Sequence, residues 1–357
     1  MAVDLSKAFD SVNYNLLLAK LKAYGFSQPA LSLMSTYLLG RKRRVCLHGV
    51  CSSYSELRAG LPQGSLLGPL LFNIFINDLN YAIPDVSLRL YADDTTLYAS
   101  DVSPITLQFV VNGGLSRLSE WFDSNYLLIN NAKTQALPIG PCKYDFDLFL
   151  NGSGVTKFPT ISILGVKLDS MLNFKEHISS QLKKAYAKAG ALRRIRRFVP
   201  MDVMLALYKS FILPHLEYCS PLLLGVGKVL AHKIESANHY ILRTLTGHGK
   251  SLSYQELLNI CELDTLECRR KQQSLILLFK CIRNLGPKYI RDFFSIRETS
   301  YNLRGNGVNL CIPKFNLNFM RNSFTYKCAQ LWNKLPEDVK LADNVDIFKA
   351  KLKLIQL

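Results

Sequence analysis

Leu90-Tyr91-Ala92-Asp93-Asp94-Thr95-Thr96-Leu97-Tyr98 sets two adjacent carboxylates between runs that alternate apolar and polar residues. Val86, Leu88 and Leu90 lead in, and Leu97 and Ala99 lead out, the period-two signature of a β-hairpin. By itself an Asp-Asp pair at a hairpin tip is turn chemistry, because Asp tolerates turn dihedrals and bonds its own backbone. Two like charges on a half-buried hairpin also repel, and a divalent cation removes that cost. The doublet acquires a chemical meaning only if the chain supplies a third carboxylate and a surface for a polyanion.

Upstream, Ala2-Val3-Asp4-Leu5 reads as the end of a strand. A helix follows from Asn13 to Tyr24, with Leu16, Leu17, Ala19, Leu21 and Ala23 as its apolar stripe and Gly25 closing it. A second helix runs from Ala30 to Leu39. Arg41-Lys42-Arg43-Arg44 then enters an expected hairpin, Val45–Leu47 against Tyr54–Leu57, turning near Gly49. Gly60-Leu61-Pro62-Gln63-Gly64-Ser65 is a loop that opens an apolar helix, with Gly64 or Ser65 as its N-cap. After the Asp-Asp hairpin an amphipathic helix spans Ile105 to Asn125. Phe146–Leu150, Val155–Lys157 and Ile161–Leu168 read as strands, with turns at Asn151-Gly152 and Asp169-Ser170. The order predicts an α+β fold, an antiparallel sheet with helices on one face, followed by a helical remainder.

Charge divides the chain at the same place. The whole carries 44 Lys and Arg against 27 Asp and Glu, a net +17 in 357 residues. Residues 1–175 hold 15 basic and 13 acidic side chains, whereas residues 176–357 hold 29 and 14. A basic body of that size attracts a polyanion such as nucleic-acid phosphates, or is a solvated surface. Its leading helix, His177 to Phe198, carries Lys183, Lys184, Lys188, Arg193, Arg194, Arg196 and Arg197 around an apolar stripe. Further helices are expected at about 202–223, 229–246, 254–261 and 265–285. No run of about 18 apolar residues exists, which argues against a membrane span. The N-terminus shows no signal peptide, and the chain is expected to be intracellular, in nucleus or cytoplasm. Nine scattered cysteines without a C-x-x-C pair predict reduced thiols and no structural zinc site.

Asp4-Leu5-Ser6-Lys7-Ala8-Phe9-Asp10, Gly60-Leu61-Pro62-Gln63-Gly64-Ser65 and Tyr91-Ala92-Asp93-Asp94, in that order, resemble the central motifs of a reverse transcriptase. The likeness is strongest to non-LTR, LINE-type retrotransposons of the jockey and CR1-like kind. Leu331-Trp332-Asn333-Lys334-Leu335-Pro336-Glu337 and Phe348-Lys349-Ala350-Lys351-Leu352 are similar to the C-terminal region of those elements, so the resemblance spans essentially the whole chain.

The resemblance implies a palm with primer grip over 1–172, a helical thumb over 173–250 and a basic helical C-terminal region over 251–357. Asp4, Asp93 and Asp94 would then be the catalytic and metal-binding carboxylates, holding two Mg²⁺ ions roughly 3.5–4 Å apart, with Mn²⁺ able to substitute. Hard cations want oxygen ligands, which suits carboxylates. Phe9 would stack under the sugar of a dNTP and exclude a 2′-hydroxyl. Gln63, Gly64 and Ala92 would contact the incoming nucleotide and template. Lys133 would be a general acid or phosphate contact, or else an ordinary surface lysine. Leu164, Gly165 and Val166 would form the primer grip, and the basic helix would track the backbone of an RNA template and DNA primer without reading bases. No protein partner is implied.

The fingers that precede Asp4 in the family are missing, as is an upstream endonuclease, so the sequence is expected to be a 5′-truncated copy or a partial gene model. A second reading is therefore a catalytically inert nucleic-acid-binding remnant. A third, a membrane-surface protein using the 177–198 helix, explains none of the carboxylates.

Overall fold

In a computed structural model, which describes residues 1–140, 146–248, 251–297, 308–315 and 320–355, the run around Asp93-Asp94 folds as the expected hairpin. The chain divides into two compact units, Met1–Leu172 and Asn173–Leu357. In order, the first unit begins with β1 (Ala2–Val3), β2 (Leu5–Ser6), α1 (Ala8–Ser11), α2 (Tyr14–Ala23), α3 (Gln28–Leu38), β3 (Lys42–Arg43), β4 (Cys46–Leu47), β5 (Val50–Cys51) and β6 (Ser55–Glu56). It continues with α4 (Leu67–Ile76), α5 (Leu79–Ala82), β7 (Ser87–Tyr91), β8 (Asp94–Tyr98) and α6 (Pro104–Ser124). Short strands complete it: β9 (Leu128–Ile129), β10 (Phe149–Leu150), β11 (Ser153–Gly154), β12 (Thr160–Ile163) and β13 (Val166–Asp169).

The largest sheet has the order β1-β8-β7 and is antiparallel throughout. Its alternation decides its packing: Val3, Leu88 and Leu97 turn inward and are buried with Leu17, Leu21, Phe72, Phe75, Leu115 and Phe122 from α2, α4 and α6. Each such fully buried side chain contributes about 1.5–3 kcal/mol relative to exposure. Local chemistry starts the helices. Asn13 Oδ1 accepts from Leu16 N ahead of α2, and Ser103 Oγ accepts from Thr106 N ahead of α6, which has Pro104 in its first turn. The class is α+β, as expected.

Several local expectations fail for identifiable reasons. Ile161–Leu168 is a hairpin of β12 and β13, turning at Leu164-Gly165 with φ values of 47° and 78°. A continuous apolar run hides a turn when one residue beside a glycine takes the left-handed region. The hairpin near Gly49 turns at His48-Gly49 but pairs Cys46–Leu47 with Val50–Cys51, and Tyr54–Leu57 instead contributes β6, paired with β3. The β4–β5 register sets Cys46 opposite Cys51, and they form a disulfide, against the expectation of reduced thiols. Their spacing matches no motif; the tight hairpin is what joins them. The N-cap position of α4 is Leu66 rather than Ser65, although Ser65 Oγ still accepts from Gly68 N at 3.0 Å.

The second unit is helical: α7 (Lys175–Ile195), α8 (Met201–Leu207), α9 (Leu213–Glu217), α10 (Lys228–Thr246), α11 (Tyr254–Ile260), α12 (Leu266–Ile282), α13 (Lys288–Arg291), α14 (Phe324–Lys334), α15 (Glu337–Lys340) and α16 (Val345–Lys353). The helix expected over 202–223 is interrupted by a π-turn at Tyr208–Ile212, just before Pro214 in the first turn of α9, where an amide proton is lost. Two apolar clusters sit here, one around Leu182, Tyr208, Ile241 and Leu266, the other around Phe279, Trp332 and Phe348. Cys142 and the expected boundary at residue 250 lie outside the described residues. Among the described residues no helix is long and apolar enough to cross a membrane.

Candidate functional site

The register of the main sheet governs the acids. Val3 pairs with Thr95, and Tyr91 pairs with Asp94. Asp4 directly follows Val3, and Asp94 directly precedes its partner Thr95. Val3 and Thr95 are buried, so alternation turns Asp4 and Asp94 to the other face. Asp93 is half-buried in the turn, after Ala92 at φ 51°. The carboxyl of Asp94 is held above its ordinary range, first by burial and then by the charges of Asp93 and Asp4. Asp94 therefore lies in the field of both Asp93 and Asp4. Among the described residues no group of three or more His, Cys, Asp or Glu side chains is placed so that it could hold a metal ion. Carboxylate oxygens are the donors a hard divalent ion takes, and a cation beside Asp94 would relieve the repulsion from Asp93 and Asp4.

Around Asp4 the loop after β9 closes. Asn130 N donates to Asp4 O at 2.8 Å, Asp4 N donates to Thr134 Oγ1 at 3.4 Å, and Lys133 Nζ stands 3.9 Å from Asp4 Oδ2. Thr134 Oγ1 in turn donates to Asn130 O, which shapes the loop that carries Lys133. The sequence assigns no role to Asn130 or Thr134; the run Asn130-Asn131-Ala132-Lys133-Thr134, rich in loop-forming side chains, is the available signal.

A second cluster joins α1 to the glycine-rich loop. Leu61 N donates to Phe9 O, Gly60 N donates to Val12 O, and Gln63 Nε2 donates to Asp10 Oδ1 at 2.9 Å. Gly60 has φ 93°, and a Cβ there would stand 2.8 Å from Asp10 O, so only glycine permits this approach. Gly64, at φ 77°, faces open space. Phe9 is half-buried and stacks on Phe72 of α4 with ring centroids 4.4 Å apart. Asp10, which had no role in the sequence reading beyond membership of its motif, is thus the residue that holds Gln63.

Residues 1–168 match the family described as Reverse transcriptase (RNA-dependent DNA polymerase). The chain is 28% identical over 256 residues to the RNA-directed DNA polymerase from mobile element jockey of Drosophila funebris, an overlap of 69% of this chain and 28% of that protein. It is 30% identical over 205 residues to the probable RNA-directed DNA polymerase from transposon BS of Drosophila melanogaster, covering 54% of this chain and 22% of the relative. A third relative, the probable RNA-directed DNA polymerase from transposon X-element of the same fly, is 27% identical over 256 residues. Residues 1–168 carry the reverse transcriptase family match, and the similarity to jockey, BS and X-element supports a non-LTR, LINE-type element. It spans 28% or less of the length of these three relatives.

Within the reverse transcriptase region Leu164 and Gly165 form the β12–β13 turn, and Val166 opens β13 with its side chain buried. Beyond that region, α7 buries Ile178, Leu182, Ala185 and Ala189 and presents Lys183, Lys184, Lys188, Arg193 and Arg194 to solvent; Arg197 in the turn that follows is exposed as well. Lys188 lies over the ring of Phe211, 5.6 Å from its centroid. His215 is pushed down by burial and then by Lys188 and Lys184. Arg196 differs from its neighbours. It donates to Thr244 O at the end of α10, a helix C-terminus that favours a cation.

Proposed function

We propose that the first unit is the palm of an RNA-directed DNA polymerase that joins dNTPs to a primer 3′-hydroxyl on an RNA template. The observation that supports this reading is the raised carboxyl of Asp94, held up by burial and by the charges of Asp93 and Asp4. Asp4, Asp93 and Asp94 would hold two Mg²⁺ ions, or Mn²⁺, which would supply acidification of the primer hydroxyl and charge neutralisation at the departing pyrophosphate. The chain's own part is to position and select. Phe9, backed by Phe72, sits beneath the sugar and leaves no room for a 2′-hydroxyl; Gln63, fixed by Asp10, with Gly64 and Ala92, lines the path of nucleotide and template. Lys133, tethered by its loop beside Asp4, offers a proton or a phosphate contact. The Leu164-Gly165-Val166 turn steadies the primer. Residues 173–250 serve as a thumb, whose exposed Lys183, Lys184, Lys188, Arg193, Arg194 and Arg197 follow a phosphate backbone, with salt-sensitive, sequence-tolerant binding. Residues 251–357 form a basic helical C-terminal region.

The test is Mg²⁺-dependent dNTP incorporation on an RNA template by the chain and by Asp93→Ala and Asp94→Ala. The substitutions are expected to lower the rate by about 10²–10³-fold. Equal rates for all three proteins would refute the assignment.

A further inference from the structure

The second unit contains a cavity of about 650 Å³ that none of the residues discussed above uses. That volume is in the range of small-molecule sites, about 300–1,000 Å³. Its wall includes the start of α10, a 19-residue helix whose N-cap position is Gly227 and which has no side-chain cap. The first amide of the helix to bond backwards is Ala231 N, to Gly227 O. The amides of Lys228, Val229 and Leu230 therefore have no acceptor within the helix, and the positive end of its dipole opens on the cavity.

A second, independent feature points the same way. Arg270 of α12 also lines the cavity, with only 3% of its side chain exposed, and its Nη1 has no hydrogen-bond partner. Its nearest carboxylate, Glu235, is 3.9 Å from Nη2 and is committed elsewhere. Glu235 accepts from Tyr254 Oη at 2.6 Å, Glu267 N at 2.6 Å and Leu266 N at 3.3 Å, and so caps α12. A buried guanidinium left with an open donor calls for an anion, because an unmet buried donor carries its full desolvation cost. Lys228, Lys327 and Lys334 line the same space, and none forms an ion pair among the described residues. The remaining carboxylate, Glu267, is paired with Lys271 at 2.9 Å.

We propose that this cavity binds a phosphate ester, seated on the α10 N-terminus, with Arg270 and the lysines neutralising it. Two sources share that chemistry: the backbone of a nucleic acid and a free nucleotide. The nucleic-acid source rests on the polymerase reading; the free-nucleotide source does not. Sequence alone gave no hint, because Gly227, Arg270, Lys327 and Lys334 are far apart in the chain and converge only on folding.

The test uses the full chain carrying Asp93→Asn and Asp94→Asn, without divalent cation, so that the carboxylate site holds no metal-bound nucleotide. Binding of a short single-stranded RNA and of adenosine 5′-monophosphate is measured for this protein and for three derivatives: Lys327→Glu with Lys334→Glu, Arg270→Met, and a charge-matched control, Lys314→Glu with Lys353→Glu. If the cavity holds nucleic-acid backbone, the Lys327/Lys334 pair lowers RNA affinity about tenfold more than the control and reduces the salt slope by about two. If it holds a free nucleotide, the monophosphate saturates the parent chain and is lost in the Lys327/Lys334 pair, with RNA binding matching the control. Arg270→Met follows the same pattern if it folds; the Lys327/Lys334 pair, on the surface, decides the matter if it does not. Equal RNA losses in that pair and the control, with no monophosphate binding, would overturn the proposal. A parent chain that binds the monophosphate but no RNA would support the cavity and count against the polymerase reading.

Discussion

Lys133 Nζ lies 3.9 Å from Asp4 Oδ2, across 129 positions of sequence, held there by a loop whose Asn130 and Thr134 bond the Asp4 backbone. Lys133 is 71% exposed, so the pair adds little to stability, about 0–1 kcal/mol. Lys133→Ala should therefore leave the melting temperature within about 2 °C while lowering single-turnover incorporation by about 10²-fold, as loss of a general acid does. A variant that melts early but incorporates normally would make the lysine structural.

The elevated Asp94 carboxyl sets a pH dependence. Its folded value lies above its unfolded one, so the ionised form is penalised in the folded state. That penalty is absent below the ordinary aspartate range, grows as pH rises toward the raised folded value, and is complete above it. Asp94→Asn should accordingly stabilise the metal-free chain at neutral pH and lose that advantage in acid, as read by urea unfolding at several pH values. Divalent-ion affinity should decline on acidification sooner than for an ordinary aspartate site, because the ion must displace a more tightly held proton. Identical stability curves for the two proteins at every pH would contradict this.

Gly60 and Gly64 separate folding from function. Gly60→Ala forces a left-handed alanine against the Asp10 backbone and should cost about 2–4 kcal/mol by urea unfolding. Gly64→Ala meets no neighbour and should cost about 1 kcal/mol for its backbone conformation alone, while raising the KM for dNTP. Similar stability losses at both positions would show that the close approach at Gly60 carries no weight.

Arg196 and Arg194 make a similar contrast in the second unit. Arg196→Ala removes the bond to Thr244 O and should lower stability by about 1 kcal/mol without changing the salt dependence of RNA binding. Arg194→Ala should leave stability within about 0.5 kcal/mol and reduce the salt slope by about one. Unfolding curves and anisotropy titrations over a range of salt concentrations check both.

The sequence revealed these features unevenly. The Leu90–Tyr98 hairpin was legible because period-two alternation is strong and one face is buried. Helices α2, α6 and α7 were legible from their apolar stripes. The turn at Leu164-Gly165 was not, because Ile161, Ile163, Val166 and Leu168 read equally well as one strand, and only the left-handed φ of Leu164 separates them. The Cys46–Cys51 bond depends on hairpin register, which composition does not encode. Arg196 looked like every other base on its helix until α10 placed a carbonyl beside it. The Asp4 side of the site needed long-range pairing: the acid is visible in the sequence, but its neighbours Asn130, Lys133 and Thr134 arrive through β2–β9 pairing. Local pattern exposes elements and their faces, while contacts across a hundred residues emerge from the fold.

The central claim is that Asp4, Asp93 and Asp94 share a divalent cation. Paramagnetic Mn²⁺, titrated into the isotope-labelled chain and read by amide line broadening, tests it most directly. The account predicts that signals of Asp4, Asp93 and Asp94 broaden together at one Mn²⁺ concentration, that Mg²⁺ reverses the effect, and that Asp94→Asn weakens it at all three positions. Broadening of the Asp93-Asp94 hairpin without Asp4, or of none of the three, would contradict it.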